Sequence, residues 1–155
     1  MNRFIFFLLL LLSFSSLIDT SQAQNYVPAS LLRLFAEQHT VELKEFARRS
    51  NDCKIHFHTY ENEAATLVTT DWICSDWCGS GGCRAQVFAT QENTEWKLLY
   101  DDTARKIVVK MKKSQFDLDI HVGGVSCDRI NADDCVKTAV YRDGVLTLST
   151  KYYSK

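Results

Sequence analysis

One proline and six glycines in 155 residues leave little from which to build a disordered or fibrous chain. Collagen-like and proline-rich linker compositions are excluded on that ground. A surplus of charge is also lacking: 18 Lys and Arg stand against 19 Asp and Glu, a formal net charge of −1. Because acids and bases are interspersed, there is no basic stripe of the kind that binds nucleic acid or an anionic membrane surface. After Ile18 no run is apolar and long enough to span a bilayer, which takes about 20 residues. Cys-x-x-Cys pairs, the spacing that zinc and iron–sulfur sites favour, do not occur. Nor is there an internal repeat.

The one long apolar run lies at the start. Arg3 supplies a positive charge, Phe4 to Ile18 is almost wholly apolar, and Ser21 and Ala23 form a small-x-small exit. This order reads as a secretory signal cleaved after Ala23. The first cysteine is Cys53, so no lipid-anchoring thiol stands at the exit. Residues 1–23 are therefore expected to be a signal peptide, and 24–155 a single α+β domain that is periplasmic or secreted.

Six cysteines (Cys53, Cys74, Cys78, Cys83, Cys127, Cys135) follow the exit. An even count in an exported chain reads as three disulfides. Proximity favours Cys78–Cys83 and Cys127–Cys135, which leaves Cys53–Cys74.

From Pro28 to Ser50 the apolar period is helical: Leu32, Phe35, His39, Leu43 and Phe46 recur at steps of three or four. Arg48 and Arg49 suit the C-terminal end and Asn51 a left-handed exit. Beyond Cys53 the period becomes two. "CKIHFH", "ATLVTT", "RAQVFAT", "EWKLLY", "KIVVKM", "FDLDIHV", "KTAVYR" and "VLTLS" read as short strands. Asp143-Gly144 marks a tight hairpin, and "YDDTAR" is expected to turn the chain between two more strands. With no helix between strands, no parallel βαβ unit is expected. The expected fold is α+β: one N-terminal helix (24–51) packed on a curved antiparallel sheet (52–155), stapled by disulfides.

"WCGSGGC" (Trp77 to Cys83) is the most distinctive stretch. Dithiol redox chemistry needs two residues between the thiols and a helix after the first. Four intervene here, and a strand follows. A phosphate loop needs Gly-Lys-Ser/Thr before a helix, whereas Gly82-Cys83-Arg84 enters a strand. A small disulfide ring remains.

"WCGSGGCRAQVF", then "DLDIHVGGVSCDRINADDC" and "VYRDG", resembles a group of small exported proteobacterial proteins of unknown function. These share a Cys-Gly-Ser-x-Gly-Cys motif and a later Asp-x-His-Gly-x-x-Cys motif. The likeness spans Trp77 to Gly144. It implies export, disulfides and a sheet, and lends no activity. Many of that group carry an Asp-rich, calcium-loop-like segment before the first motif. "YENEAATLVTTDW" takes its place here without that spacing, so no calcium site is implied.

His56 and His58 share one face of their strand, and Asp117, Asp119 and His121 share one face of theirs. Were these strands neighbours, the three imidazoles could hold zinc or copper, as a metal-binding protein or metal-dependent enzyme would require. Ordinary alternation on a wet sheet face gives the same pattern. Aromatics offer another reading. Trp72 and Trp77 border the cysteine-bounded loop, and rigid exposed aromatics make binding hot spots. The function expected from the sequence is an exported, non-enzymatic binding protein that needs no cofactor. Its partner would be a protein in the cell envelope or outside the cell, for instance a hydrolase that it inhibits or confers immunity to. Trp72, Trp77, Ser80 and Arg84 are its expected contact residues; His56, His58 and His121 serve the metal alternative.

Overall fold

A computed structural model describes residues 26–48, 53–75, 78–92, 94–123 and 135–154. The signal region, Trp77 and Cys127 lie outside the described residues, as do Arg49 and Asn51.

Eight strands occur where the period of two places them: β1 (Cys53–Glu61), β2 (Thr66–Cys74), β3 (Cys83–Thr90), β4 (Lys97–Ala104), β5 (Lys106–Met111), β6 (Phe116–Val122), β7 (Cys135–Arg142) and β8 (Val145–Ser154). They do not form one curved sheet under one helix. Two four-stranded antiparallel sheets form instead, ordered β1-β2-β3-β4 and β5-β6-β7-β8. Two short helices, α1 (Ala29–Gln38) and α2 (Thr40–Arg48), precede them. The expected α+β architecture is thus corrected to a mostly β one in three layers.

Burial explains the layering. Leu67, Ala85, Val87 and Ala89 of the first sheet meet Phe116, Leu118, Ile120 and Val122 of the second in one core cluster. The opposite face of the first sheet (Val68, Trp72, Phe88) packs on Leu31, Phe35 and Phe46 of the helices. With both faces covered, β2 and β3 contain unbroken runs of buried residues. Strand β6 has one wet face and alternates strictly between buried and half-buried.

"YDDTAR" is not a hairpin turn. Strands β4 and β5 belong to different sheets and are joined by Arg105 alone, which leaves no room for a reversal. Its N–H bonds the His121 carbonyl at 2.7 Å, so the chain enters the second sheet immediately. Asp143-Gly144 does form the tight turn between β7 and β8, with φ of 50° and 80°.

The helical stripe is also broken. Thr40 turns its hydroxyl back onto the carbonyls of Ala36 (2.8 Å) and Glu37 (3.3 Å), a bond that bends helices. His39 leaves helical geometry (φ −115°, ψ 27°) between the two segments. Leu32 faces solvent at 43 % exposure, and Leu31 takes the buried place expected of it.

Disulfides join Cys53 to Cys74, which face each other in the β1–β2 register, and Cys78 to Cys83. Cys135 is also disulfide-bonded. Its expected pairing with Cys127, and the 127–135 ring, lie outside the described residues. No helix among the described residues is long and apolar enough to cross a membrane.

Candidate functional site

The stapled loop is a joint between the sheets. Gly79 and Gly82 exchange backbone hydrogen bonds at 3.0 Å, closing the ring that Cys78–Cys83 locks. Arg105 donates from Nε (3.2 Å) and Nη2 (2.8 Å) to the Ser80 carbonyl, and the Gly123 N–H reaches the Gly81 carbonyl at 3.2 Å. Gly82 has φ 117°, and a Cβ there would overlap the Ala104 carbonyl. Gly82→Ala is therefore expected to lower stability by about 1–3 kcal/mol through backbone strain. Urea denaturation would measure it, and an unchanged midpoint would mean that the loop does not press on β4.

Of the expected contact residues, Ser80 is exposed on this loop. Trp72 points the other way and is 1 % exposed, so its indole offers nothing to a partner while the helices are in place. Arg84 is committed within the molecule. Its guanidinium donates two bonds to Asp101 (2.8 and 2.6 Å), lies 3.7 Å from Glu42, and stacks 5.3 Å from the centre of the Trp72 ring. The bidentate bond holds the Asp101 carboxyl below the usual carboxylate range.

The three histidines are not brought together. His56 and His58 lie on the edge strand β1, on the same strand face as Tyr60, which packs against the core between the sheets. His58 approaches Asp71 at 3.7 Å. Burial pushes the Asp71 carboxyl up, against the pull of His58 and His56. His121 alternates with the buried Ile120 and Val122, so it lies on the outer face of the second sheet with Asp117 and Asp119. Those two carboxylates are ion-paired with Lys112 (2.5 Å) and Lys110 (2.6 Å). Among the described residues no three His, Cys, Asp or Glu side chains group closely enough to hold a metal ion.

What the chain does build is an open groove at the end of the first sheet, where the start of α1 meets the β1–β2 and β3–β4 turns. One lobe, about 400 Å³, is lined by Tyr26, Ser30, Glu63, Thr66, Glu92 and Trp96 among others. A second, about 470 Å³, adds Leu34 and Glu95 and shares Ser30, Thr94 and Trp96. The half-buried Trp96 indole therefore stands between the two lobes. Its Nε1 donates to Ser30 Oγ at 2.9 Å, fixing the ring against α1.

The walls are stiff. Asn62 donates from Nδ2 to the carbonyls of Lys112 (2.9 Å) and Gln115 (3.2 Å), while its Oδ1 accepts the N–H groups of Ala64 and Ala65. One side chain thus ties the β1–β2 turn to the β5–β6 turn. Thr90 donates its hydroxyl to the Thr94 carbonyl at 2.7 Å, and Thr94 donates its own to the Gln91 carbonyl at 2.7 Å. Opposite them, Thr59 donates its hydroxyl to the Tyr26 carbonyl, and Tyr26 donates its own to Glu61 at 3.1 Å. Sequence reasoning does not single out Trp96. The available signal is its setting in "QENTEWKLLY", where a large indole stands at the start of an expected strand, directly after a run of polar residues.

No family model, curated protein or solved structure matches the chain.

Proposed function

We propose that this chain is an exported, non-enzymatic binding domain whose contact surface is the Trp96 groove. The supporting observation is the indole itself. Held by Ser30 between two open lobes, it is an aromatic anchor with little freedom left to lose on binding. Glu63, Glu92 and Glu95 give the rim negative charge, and among the described residues only Glu63 has an ion-pair partner, Lys113 at 3.6 Å. A rim of that sign suits a Lys- or Arg-bearing segment of a protein partner. A hydrolase of the cell envelope, inhibited or neutralised by this domain, is the concrete form of that partner. Export is supported by the N-terminal signal pattern, the disulfides and the likeness to small exported proteins.

Capture from envelope extract by the wild type, Trp96→Ala and Ser80→Ala tests the reading. Trp96→Ala is expected to retain at least about tenfold less of the bound protein, since an anchor aromatic contributes about 2 kcal/mol or more. Because the ring also packs against the helix–sheet cluster, capture is compared at a temperature where both proteins are folded by circular dichroism. Ser80→Ala should capture as the wild type does. Equal recovery by wild type and Trp96→Ala removes the groove from consideration. Loss in Ser80→Ala alone would place the contact on the stapled loop instead.

A further inference from the structure

We propose that His39 is an acid-sensitive clasp: a proton added at its Nε2 breaks the polar lock that holds α1 and α2 on the first sheet, and the helix layer comes away.

The lock can be read from donor and acceptor chemistry. Trp72 Nε1 can only donate, and at 3.1 Å it fixes Gln86 Oε1 as its acceptor. The Gln86 amide nitrogen must then face the other way, where its two N–H groups donate to Asp101 Oδ2 (3.1 Å) and toward His39 Nε2 (3.1 Å). His39 Nε2 is thereby an acceptor. The ring is neutral, with its one proton on Nδ1. That proton has no hydrogen-bond partner, Nδ1 being buried and 3.8 Å from Glu42 Oε1. Gln86 is fully buried and His39 only 4 % exposed, so water does not substitute for these bonds.

A second proton on the ring must go to Nε2, where it would point at the Gln86 N–H groups. Gln86 cannot turn over, because its amide would then oppose the Trp72 N–H and abandon Asp101. The groups facing His39 are Phe35 from α1, Glu42 from α2, Trp72 from β2, Arg84 and Gln86 from β3, and Asp101 from β4. Two of these are carboxylates that would welcome a cation. Asp101 is held by the Arg84 guanidinium, and Glu42 lies 3.7 Å from Arg84 and 3.8 Å from Nδ1, on the side of the ring away from the Gln86 amide. Burial first, and the Arg84 charge second, hold the His39 imidazole below its ordinary 6.5, against the opposing pull of Glu42 and Asp101. A histidine depressed in the folded state contributes stability that is complete above about pH 6.5 and is lost as the pH falls through the folded value. The break between α1 and α2 lies at His39 itself, so the residue that would charge is also the hinge. Release uncovers Phe35, Phe57, Trp72 and Phe88, an aromatic face of the first sheet and α1. Ser30 on α1 would leave Trp96 as well, but the clasp holds whether or not the groove binds anything.

The experiment follows the full chain by NMR between about pH 7.5 and about pH 5, the range in which histidine titrates. His39 Cε1–H reports protonation, and amide exchange, corrected for its intrinsic pH dependence, reports opening of α1 and α2 relative to β3. In the wild type the His39 midpoint is expected below about 6.5, and helix protection should fall as the pH drops from about 6.5 to that midpoint, by up to about tenfold per unit of His39 shift. In His39→Gln, helix protection should not change with pH. Gln86→Glu replaces the opposing donors by an acceptor and should move the His39 midpoint above that of the wild type. The clasp is overturned if wild-type helices keep their protection below the His39 midpoint, or if His39 titrates at or above its ordinary value. It is equally overturned if His39→Gln loses protection in parallel with the wild type, or if Gln86→Glu leaves the midpoint unmoved.

Discussion

Trp72→Ala is expected to destabilise the protein by about 3–5 kcal/mol, the range for deleting a large buried aromatic. The indole fills the space between helices and sheet, with ring centres 5.3 Å from Phe35, 5.1 Å from His39 and 5.5 Å from Phe46. Alanine would leave a cavity that three separate elements line and none can close alone. It would also remove the N–H that Gln86 accepts, leaving its buried amide oxygen only the longer bond from the Thr70 hydroxyl (3.5 Å), a further cost of about 1 kcal/mol. Trp72→Phe separates the two contributions, since it keeps most of the packing and loses the donor. Urea unfolding monitored by circular dichroism gives both values. A loss below about 1 kcal/mol for Trp72→Ala would place the indole on the surface, as its position beside the cysteine-bounded loop suggests. Trp96→Ala serves as the contrast: its ring is only half-buried against the same cluster, so binding should be lost at a smaller cost in stability than for Trp72→Ala.

Removing the disulfides should produce the other large effect. The Cys53–Cys74 link spans 21 residues of sequence and the Cys78–Cys83 link spans 5. Chain-entropy reasoning assigns about 3 kcal/mol to the longer loop and about 2 kcal/mol to the shorter. Together they approach the net stability of an ordinary domain, about 5–15 kcal/mol. The paired variant Cys53→Ala/Cys74→Ala is expected to lose more than Cys78→Ala/Cys83→Ala under the same denaturant. The second variant has a separate signature. It frees the loop whose Ser80 carbonyl accepts Arg105 and whose Gly81 carbonyl accepts Gly123. Amide exchange at the start of β5 and the end of β6 should therefore rise while β1 and β2 stay protected. If the Cys78→Ala/Cys83→Ala variant loses more stability than the other, loop-closure entropy is not the governing term.

What was legible in the residues is what neighbours along the chain decide. The eight strands, the Asp143-Gly144 turn and the Cys78–Cys83 pair follow from alternation, turn chemistry or proximity, and Cys53–Cys74 from elimination once the proximal pairs are assigned. The strict alternation of "FDLDIHV" even marks its sheet as wet on one side. A finer clue lay in the period-two stretches "ATLVTT" and "RAQVFAT", where Arg84 is the one charge in the run and β2 and β3 are covered on both faces. That run identifies a middle layer, yet it cannot say what covers it.

The remainder depended on contacts between distant segments. Whether β4 and β5 pair or part company turns on one residue, Arg105, and on where its neighbours find edges to join. Trp72 looked available because it borders a loop, and it is buried because α1 and α2 lie over it. Conversely, Trp96 gains its importance only when Ser30, 66 positions earlier, reaches its indole. His39 looked like one more member of an apolar stripe; Gln86 on β3 and Asp101 on β4 make it the centre of a polar lock. Periodicity is a property of adjacent residues and survives in any arrangement of the layers. Which faces become interior is decided only when sheets and helices dock, since burial depends on what lies opposite.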